Sequence, residues 1–140
     1  NKVQEMENEI EDEKNSIGTG QENQKNVVVV GSYHDFDKTP SYDEIIKRLC
    51  FMKSQGVSIP KLACMQQNRH DVVTLLQATQ DFVSKNVGLP VITMSMGDYG
   101  KVSRVAGKSF GSAMTFGCLG KASAPGQINV DDLRAILNIL

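Results

Sequence analysis

The stretch Ile59-Pro60-Lys61-Leu62-Ala63-Cys64-Met65 places one lysine near the start of a short apolar run. Lysine is almost never fully buried without a partner or a task. Pro60 stiffens the approach, and the run is too short for an ordinary helix, so it reads as a buried strand. Strand alternation puts Lys61, Ala63 and Met65 on one face and Leu62 and Cys64 on the other. A lysine facing an apolar interior has its ammonium form disfavoured, which makes free amine available near neutral pH. Free amine attacks carbonyls. The plainer alternative is a strand-end lysine that snorkels to water or pairs with a carboxylate. On this stretch alone the plainer reading is favoured; the rest of the chain reverses that.

Other polar residues collect where strands end. His34 lies in Ser32-Tyr33-His34-Asp35 at the close of an apolar run. A lone histidine there is more often a hydrogen-bonded structural group, yet its titration near neutrality suits proton shuttling. Arg104 comes after a loop containing Gly97 and Gly100. It reads either as a solvated helix residue or as a planar fork for a carboxylate, with the glycines letting a ligand approach the backbone. Ser123 and Gln127 belong to Ser-Ala-Pro-Gly-Gln, either an ordinary turn or a loop shaped to close over a small polar ligand. Met94 and Met96 are most simply core, and Met96, at the rim, also suits a pocket wall. Two motifs fail. Gly107-Lys108-Ser109 lacks the upstream glycine of a phosphate loop, since Val102 stands there. His34 with Cys64 or Cys118 is no recognisable nucleophile pair, because neither cysteine has an electropositive setting.

The elements that must position these residues alternate strand and helix from Val27 onward. Val27 to Ser32 is a β-branched run of strand length. Ser41 and Glu44 make a capping box for a helix to about Ser54, closed by Gly56. After the Lys61 strand, Asn68 caps a helix with Val72, Val73, Leu75, Leu76 and Phe82 as its apolar face, ending near Asn86 to Gly88. Pro90 to Ser95 reads as a third strand, about Lys101 to Ala106 as a short helix, and Ser112 to Gly117 as a fourth strand. Val130 to Leu137 is a last helix capped by Asn129. Four β/α units in series imply a parallel sheet with helical crossovers. That count suits half of an eight-stranded barrel of about 250 residues, whose active site forms at the C-terminal strand ends. A small doubly wound sheet gives the same string.

Composition bounds the function. At 140 residues the chain has the size of one domain, with 15 basic against 16 acidic residues and no basic stripe, so nucleic acid is a poor partner. Residues 1–26 differ in character from residues 27–140. Seven acidic residues against three lysines give a net of −4 there, leaving +3 for the rest. Val3, Met6 and Ile10 allow a thin apolar helical stripe before a linker that begins near Ile17; the stretch reads as an acidic arm without chemistry. The three cysteines match no zinc or redox spacing, and a reducing, cytoplasmic compartment is the simplest setting. No apolar run reaches the length of a membrane span, and no secretory signal opens the chain. The first residue is Asn rather than Met, which suggests a fragment or a processed product.

Taken together these residues resemble the type I 3-dehydroquinate dehydratases. The matching stretches are Gly31 to Phe36, Ile59 to Lys61, Ile92 to Gly97, Ser103-Arg104, Phe110 to Gly117 and Ala122 to Gln127. The resemblance runs from about Val27 to Leu140. It implies a (β/α)8 TIM barrel of which this chain covers the last four units. It further implies a lysine Schiff base at Lys61 with the ketone of 3-dehydroquinate, and His34 as general base and acid. Arg104 would hold the substrate carboxylate, Ser123 and Gln127 would close over it, and Met96 and Phe116 would wall the site. No metal or diffusible cofactor is implied.

The family's N-terminal half supplies a glutamate that orients the histidine, and residues 1–26 match none of those strands. A half-barrel also leaves open sheet edges and an open apolar interior. The expectation is therefore completion by the missing half or by a homo-oligomer partner. Two other readings share these residues. One is a non-catalytic half-barrel with a binding or structural role. The other is a different Schiff-base barrel enzyme such as an aldolase, which the absence of a phosphate-binding loop disfavours.

Overall fold

The computed structural model describes residues 27–140; the arm and linker expected in residues 1–26 lie outside them. Three parallel strands, β1 (Val30–Asp35), β2 (Ile59–Met65) and β3 (Ile92–Met96), lie in the order β1-β2-β3. Helices α1 (Tyr42–Ser54) and α2 (Arg69–Lys85) make the two crossovers. A short helix α3 (Lys101–Val105), a 3-10 turn (Gly107–Phe110) and helix α4 (Val130–Leu137) complete the described chain.

Each crossover helix begins on a side-chain cap. Ser41 Oγ accepts from the Glu44 backbone N–H at 3.3 Å, but the Glu44 carboxylate pairs with Arg48 at 2.7 Å in place of the expected reciprocal bond. At α2 the box is complete, with Asn68 and Asp71 each satisfying the other's backbone N–H. Helix α1 stops where Gly56 takes φ +74°, a left-handed C′ position that bonds back to Lys53.

The main core lies between these helices and one face of the sheet. Ile45, Ile46, Leu49 and Cys50 from α1, Leu75, Ala78 and Phe82 from α2, and Leu62 and Cys64 from β2 are all buried in it. The opposite face carries Ala63, Ile92, Met94 and Met96, with Ile59, Met65 and Ala124 against them. The alternation expected for β2 thus holds residue by residue. Helix α2 departs from its expected face at Val73, which is 57% exposed. The buried stripe runs Val72, Leu75, Thr79, Phe82, and Val73 sits one residue, about 100°, off it. Thr79 is admitted to the core because its hydroxyl donates to Leu75 O at 2.7 Å and meets Thr93 Oγ1 at 2.7 Å, tying α2 to β3.

Two strand expectations need correction. The first strand is Val30–Asp35, not Val27 to Ser32. Its extent is set by pairing with β2, from Val30 opposite Ile59 to Asp35 opposite Cys64, and Val27 and Val28 stay exposed. His34 therefore lies within the strand. The fourth strand, Ser112 to Gly117, does not form; its only ladder pairing among the described residues is one isolated bridge, Ser112 to Val91, just before β3. The hydroxyl of Ser112 accepts from Thr93 N at 3.1 Å and donates to Thr93 O at 3.3 Å, and Ser103 Oγ accepts from Ser95 N at 2.9 Å. Side chains thus occupy the backbone groups that a fourth strand would have paired with.

The core stripe predicts a sharp contrast within α2. Phe82→Ala should lower the unfolding free energy by about 3–5 kcal/mol, while Val73→Ala should stay within about 0.5 kcal/mol, both read by urea denaturation.

Candidate active site

Strand register assembles the site. Ser32, Lys61 and Ile92 lie side by side in one row, and His34, Ala63 and Met94 in the row nearer the C-terminal strand ends. Lys61 starts a row below His34, so its four-carbon stem climbs past Ala63 and brings Nζ within 3.0 Å of His34 Nε2. If Lys61 is an ammonium, it donates, and His34 must be neutral with its proton on Nδ1. If Lys61 is an amine, Nε2–H can donate to it instead. The pair is thus a place where one proton has two neighbouring homes.

Its surroundings favour the neutral imidazole. Burial, and then the charge of Lys61, hold the His34 pKa below its ordinary value. Phe36 stacks beside the imidazole with ring centroids 6.0 Å apart and planes 18° from parallel. Phe116 sets its ring centroid 5.4 Å from Lys61 Nζ, within cation–π range. The Cys64 thiol takes no part: it points into the other core, and burial pushes its pKa up to about 11.

Arg104 is placed by α3 and is 2% exposed. Its Nη2 donates to Pro125 O at 3.2 Å, Nη1 has only Met94 Sδ at 3.6 Å, and the buried Nε has no partner. Burial lowers its pKa from the usual guanidinium value, though arginine stays charged at any ordinary pH. No carboxylate pairs with it among the described residues. A buried cation with an idle donor and no counter-ion is an arrangement suited to receiving an anion.

The loop of residues 122–127 closes the far side. Gly97 N–H and Arg104 both donate to Pro125 O. Gly126, at φ +75°, lies so close to Gly97 that a Cβ there would stand 2.4 Å from Gly97 O. Gln127 Oε1 accepts from Ser123 N at 2.6 Å, Ser123 Oγ at 3.1 Å and Ala124 N at 3.3 Å.

One cavity of about 220 Å³ is lined by His34, Lys61, Met96, Arg104, Phe116, Ser123 and Gln127, together with Phe36, Ala63, Met94 and Ala124. All seven residues expected from sequence therefore meet in one place. Phe36 and Ala124 had no expected role, although Phe36 lies beyond His34 by the two-residue step that keeps a strand face. A larger cavity of about 500 Å³ lies between β1 and α1, lined by Tyr33, Phe51, Met52 and Val57 among others. Its arginine, Arg48, is already engaged by Glu44 and by the Tyr33 ring, 3.8 Å away. The chemistry converges on the smaller cavity. Among the described residues no cluster of three or more His, Cys, Asp or Glu could hold a metal ion, and no helix is long and apolar enough to cross a membrane.

Comparison with known proteins places the chain in a family. The family model for type I 3-dehydroquinase matches residues 3–140, which takes in most of the stretch expected to form an acidic arm. A 3-dehydroquinate dehydratase of Salmonella typhimurium is 53% identical over 121 residues, covering 86% of this chain and 48% of that protein. The crystal structure of 3-dehydroquinate dehydratase from Geobacillus kaustophilus aligns with a TM-score of 0.78 at 42% identity, over 81% of this chain and 44% of that one. The type I enzyme from Clostridium difficile, solved with covalent modified comenic acid, aligns with a TM-score of 0.76 at 48% identity and the same coverage. The chain thus spans about half the length of the relatives it matches. With its whole described length aligned to one family and every expected site residue gathered in one cavity, the chain belongs to the type I 3-dehydroquinases.

Proposed function

We propose that this chain carries the imine-forming part of a site that dehydrates 3-dehydroquinate to 3-dehydroshikimate. The observation that carries the reading is the 3.0 Å contact between Lys61 Nζ and His34 Nε2, in a cavity shared with an anion-ready arginine. The Lys61 amine adds to the C3 ketone and water leaves, giving a protonated imine. The imine withdraws electrons from C2, and neutral His34, within reach of the lysine nitrogen, takes the C2 proton to give an enamine. The enamine pushes out the C1 hydroxyl, which His34 protonates so that it departs as water. Hydrolysis of the imine then returns the free amine and the product. The net change is loss of one water, with no electrons exchanged.

Arg104 holds the ring carboxylate, with Ser123 and Gln127 over it, and Met96 and Phe116 keep bulk water from the imine. The covalently modified carboxylic acid in the Clostridium difficile relative is in keeping with a site that both holds a carboxylate and forms a bond. Because the relatives are about twice as long, the reading includes completion of an eightfold β/α barrel by a further half or by a second copy. The exposed apolar residues Phe36 and Met114 are surface that such a complement would cover. The cytoplasm is the setting that suits this reaction. The alternative of a non-catalytic half-barrel has no observation of its own in its favour.

Borohydride trapping tests the reading. Incubation of the full chain with 3-dehydroquinate and borohydride should give a reduced adduct that peptide mass spectrometry places on Lys61, and Lys61→Ala should give none. An adduct spread over surface lysines, or none on Lys61 in a folded chain, would contradict it.

The same site predicts a pH dependence of stability. The folded state holds the His34 pKa below its unfolded value of about 6.5, so near pH 6 it binds fewer protons than the unfolded chain. The stability due to this group is complete above about pH 6.5 and is lost as pH falls through the lower folded value. Urea midpoints of wild type and His34→Gln should therefore converge or cross as pH drops from 8 to 5, with the wild type losing more.

A further inference from the structure

Few groups of the cavity are left to recognise a ligand. Five of its lining residues are polar, His34, Lys61, Arg104, Ser123 and Gln127, and the other six are Phe, Ala or Met. No Asp or Glu is among them. The Ser123 hydroxyl gives its one hydrogen to Gln127 Oε1 at 3.1 Å, and the Gln127 amide nitrogen is a donor that also suits an anion. The described chain can therefore read a ketone, through the Lys61 amine, and a carboxylate, through the buried idle donor of Arg104. Between those two ends the wall is apolar. A site built to hydrogen-bond a ligand hydroxyl rejects the analogue that lacks it, because its own polar groups are left unpaired; a wall of Met, Phe and Ala imposes no such penalty. The volume, about 220 Å³, also lies below the roughly 300–1,000 Å³ of ordinary ligand pockets.

We infer that the chain also acts on open-chain γ-keto acids, exchanging the protons beside their ketone with solvent through an imine on Lys61. The inference rests on Lys61 forming an imine, as in the proposed reaction, and extends it to ligands with neither ring nor hydroxyls. Spacing sets the class. Lys61 Nζ stands beside His34 of β1, and the Arg104 guanidinium beside Met94 of β3. Those strands are two spacings apart, roughly 9–10 Å. A γ-keto acid has two carbons between ketone and carboxylate, and with the imine bond and the carboxylate's hydrogen bond added it bridges that span. In 3-dehydroquinate the ketone and carboxylate have the same separation. The Lys61 amine adds to the ketone and water leaves, giving a protonated imine. His34 takes a proton from the carbon beside it, giving an enamine. With no hydroxyl to expel, the enamine can only take a proton back, and the imidazolium has meanwhile exchanged its own with water. Imine hydrolysis then frees the amine and the keto acid. The net change is one hydrogen replaced by one from solvent, with no electrons exchanged.

Proton NMR in deuterium oxide reads the exchange directly, using the full chain and levulinate, a γ-keto acid with no hydroxyl. Signals of the groups flanking the ketone should fade at least about tenfold faster than with Lys61→Met or His34→Gln. With butanone, a ketone lacking the carboxylate, fading should be slower by about tenfold or more, since the charge-assisted bond to Arg104 is gone. That comparison is made on the wild type and needs no variant to fold. Equal fading of levulinate and butanone would overturn the inference. So would equal rates in wild type and either variant, or no fading above the protein-free rate. Borohydride trapping of 3-dehydroquinate on the same preparation separates the two claims. An adduct on Lys61 without levulinate exchange defeats the inference alone, whereas the absence of both defeats the proposed reaction as well.

Discussion

The parallel pairing of β1 with β2 is the constraint on which the site depends. It sets Ser32 against Lys61 and His34 against Ala63, and from that offset alone a lysine stem reaches an imidazole one row higher. A shift of either strand by one residue would send Lys61 or His34 into the helix-covered core, because side chains alternate faces. The pairing is secured from the other side of the sheet. Leu62 and Cys64, the residues between Lys61, Ala63 and Met65, are locked into the core formed by α1 and α2. The apolar packing that stabilises one face thereby fixes the chemistry of the other.

The two faces differ in how finished they are. The helix-covered face holds the main core, down to the Thr79–Thr93 bond that joins α2 to β3. The face carrying the site is walled on one side by α3 and the 122–127 loop and open toward β1, where Phe36 is 58% exposed. Arg104 shows the same asymmetry at the level of one side chain. It spends one donor on Pro125 and leaves another buried and idle. Unsatisfied polar groups are tolerated where a ligand is to supply the missing partner. The idle donor of Arg104 is one such group, and it lies where a reaction is proposed.

Legibility in the sequence depended on how local the determining physics was. Strand β2 could be read to the residue, since Pro60, strand length and alternation all agree over Ile59–Met65. The caps at Asn68 and Asn129 and the turn at Gly56 rest on side-chain or backbone preferences within a few residues, and they too were readable. Strand β1 was misplaced by three residues because its β-branched start, Val27 to Val29, looks like a strand but has no partner there. The missing fourth strand had a cause invisible to periodicity: hydroxyls of Ser112 and Ser103, distant in sequence, taking the backbone positions on β3. The site residues with distinctive chemistry were recognisable by type and motif. Phe36 and Ala124 were not, because an apolar lining residue resembles any other until the fold places it.

The central claim is that Lys61 and His34 share one electrostatic environment, and NMR titration of the His34 imidazole tests it most directly. In wild type the His34 pKa should lie below the ordinary histidine value of about 6.5. In Lys61→Met it should rise when the neighbouring charge is removed, yet remain below the ordinary value because burial persists. An identical titration in the two proteins, with the fold intact, would mean that lysine and histidine do not meet in solution, and the account of the site would fail.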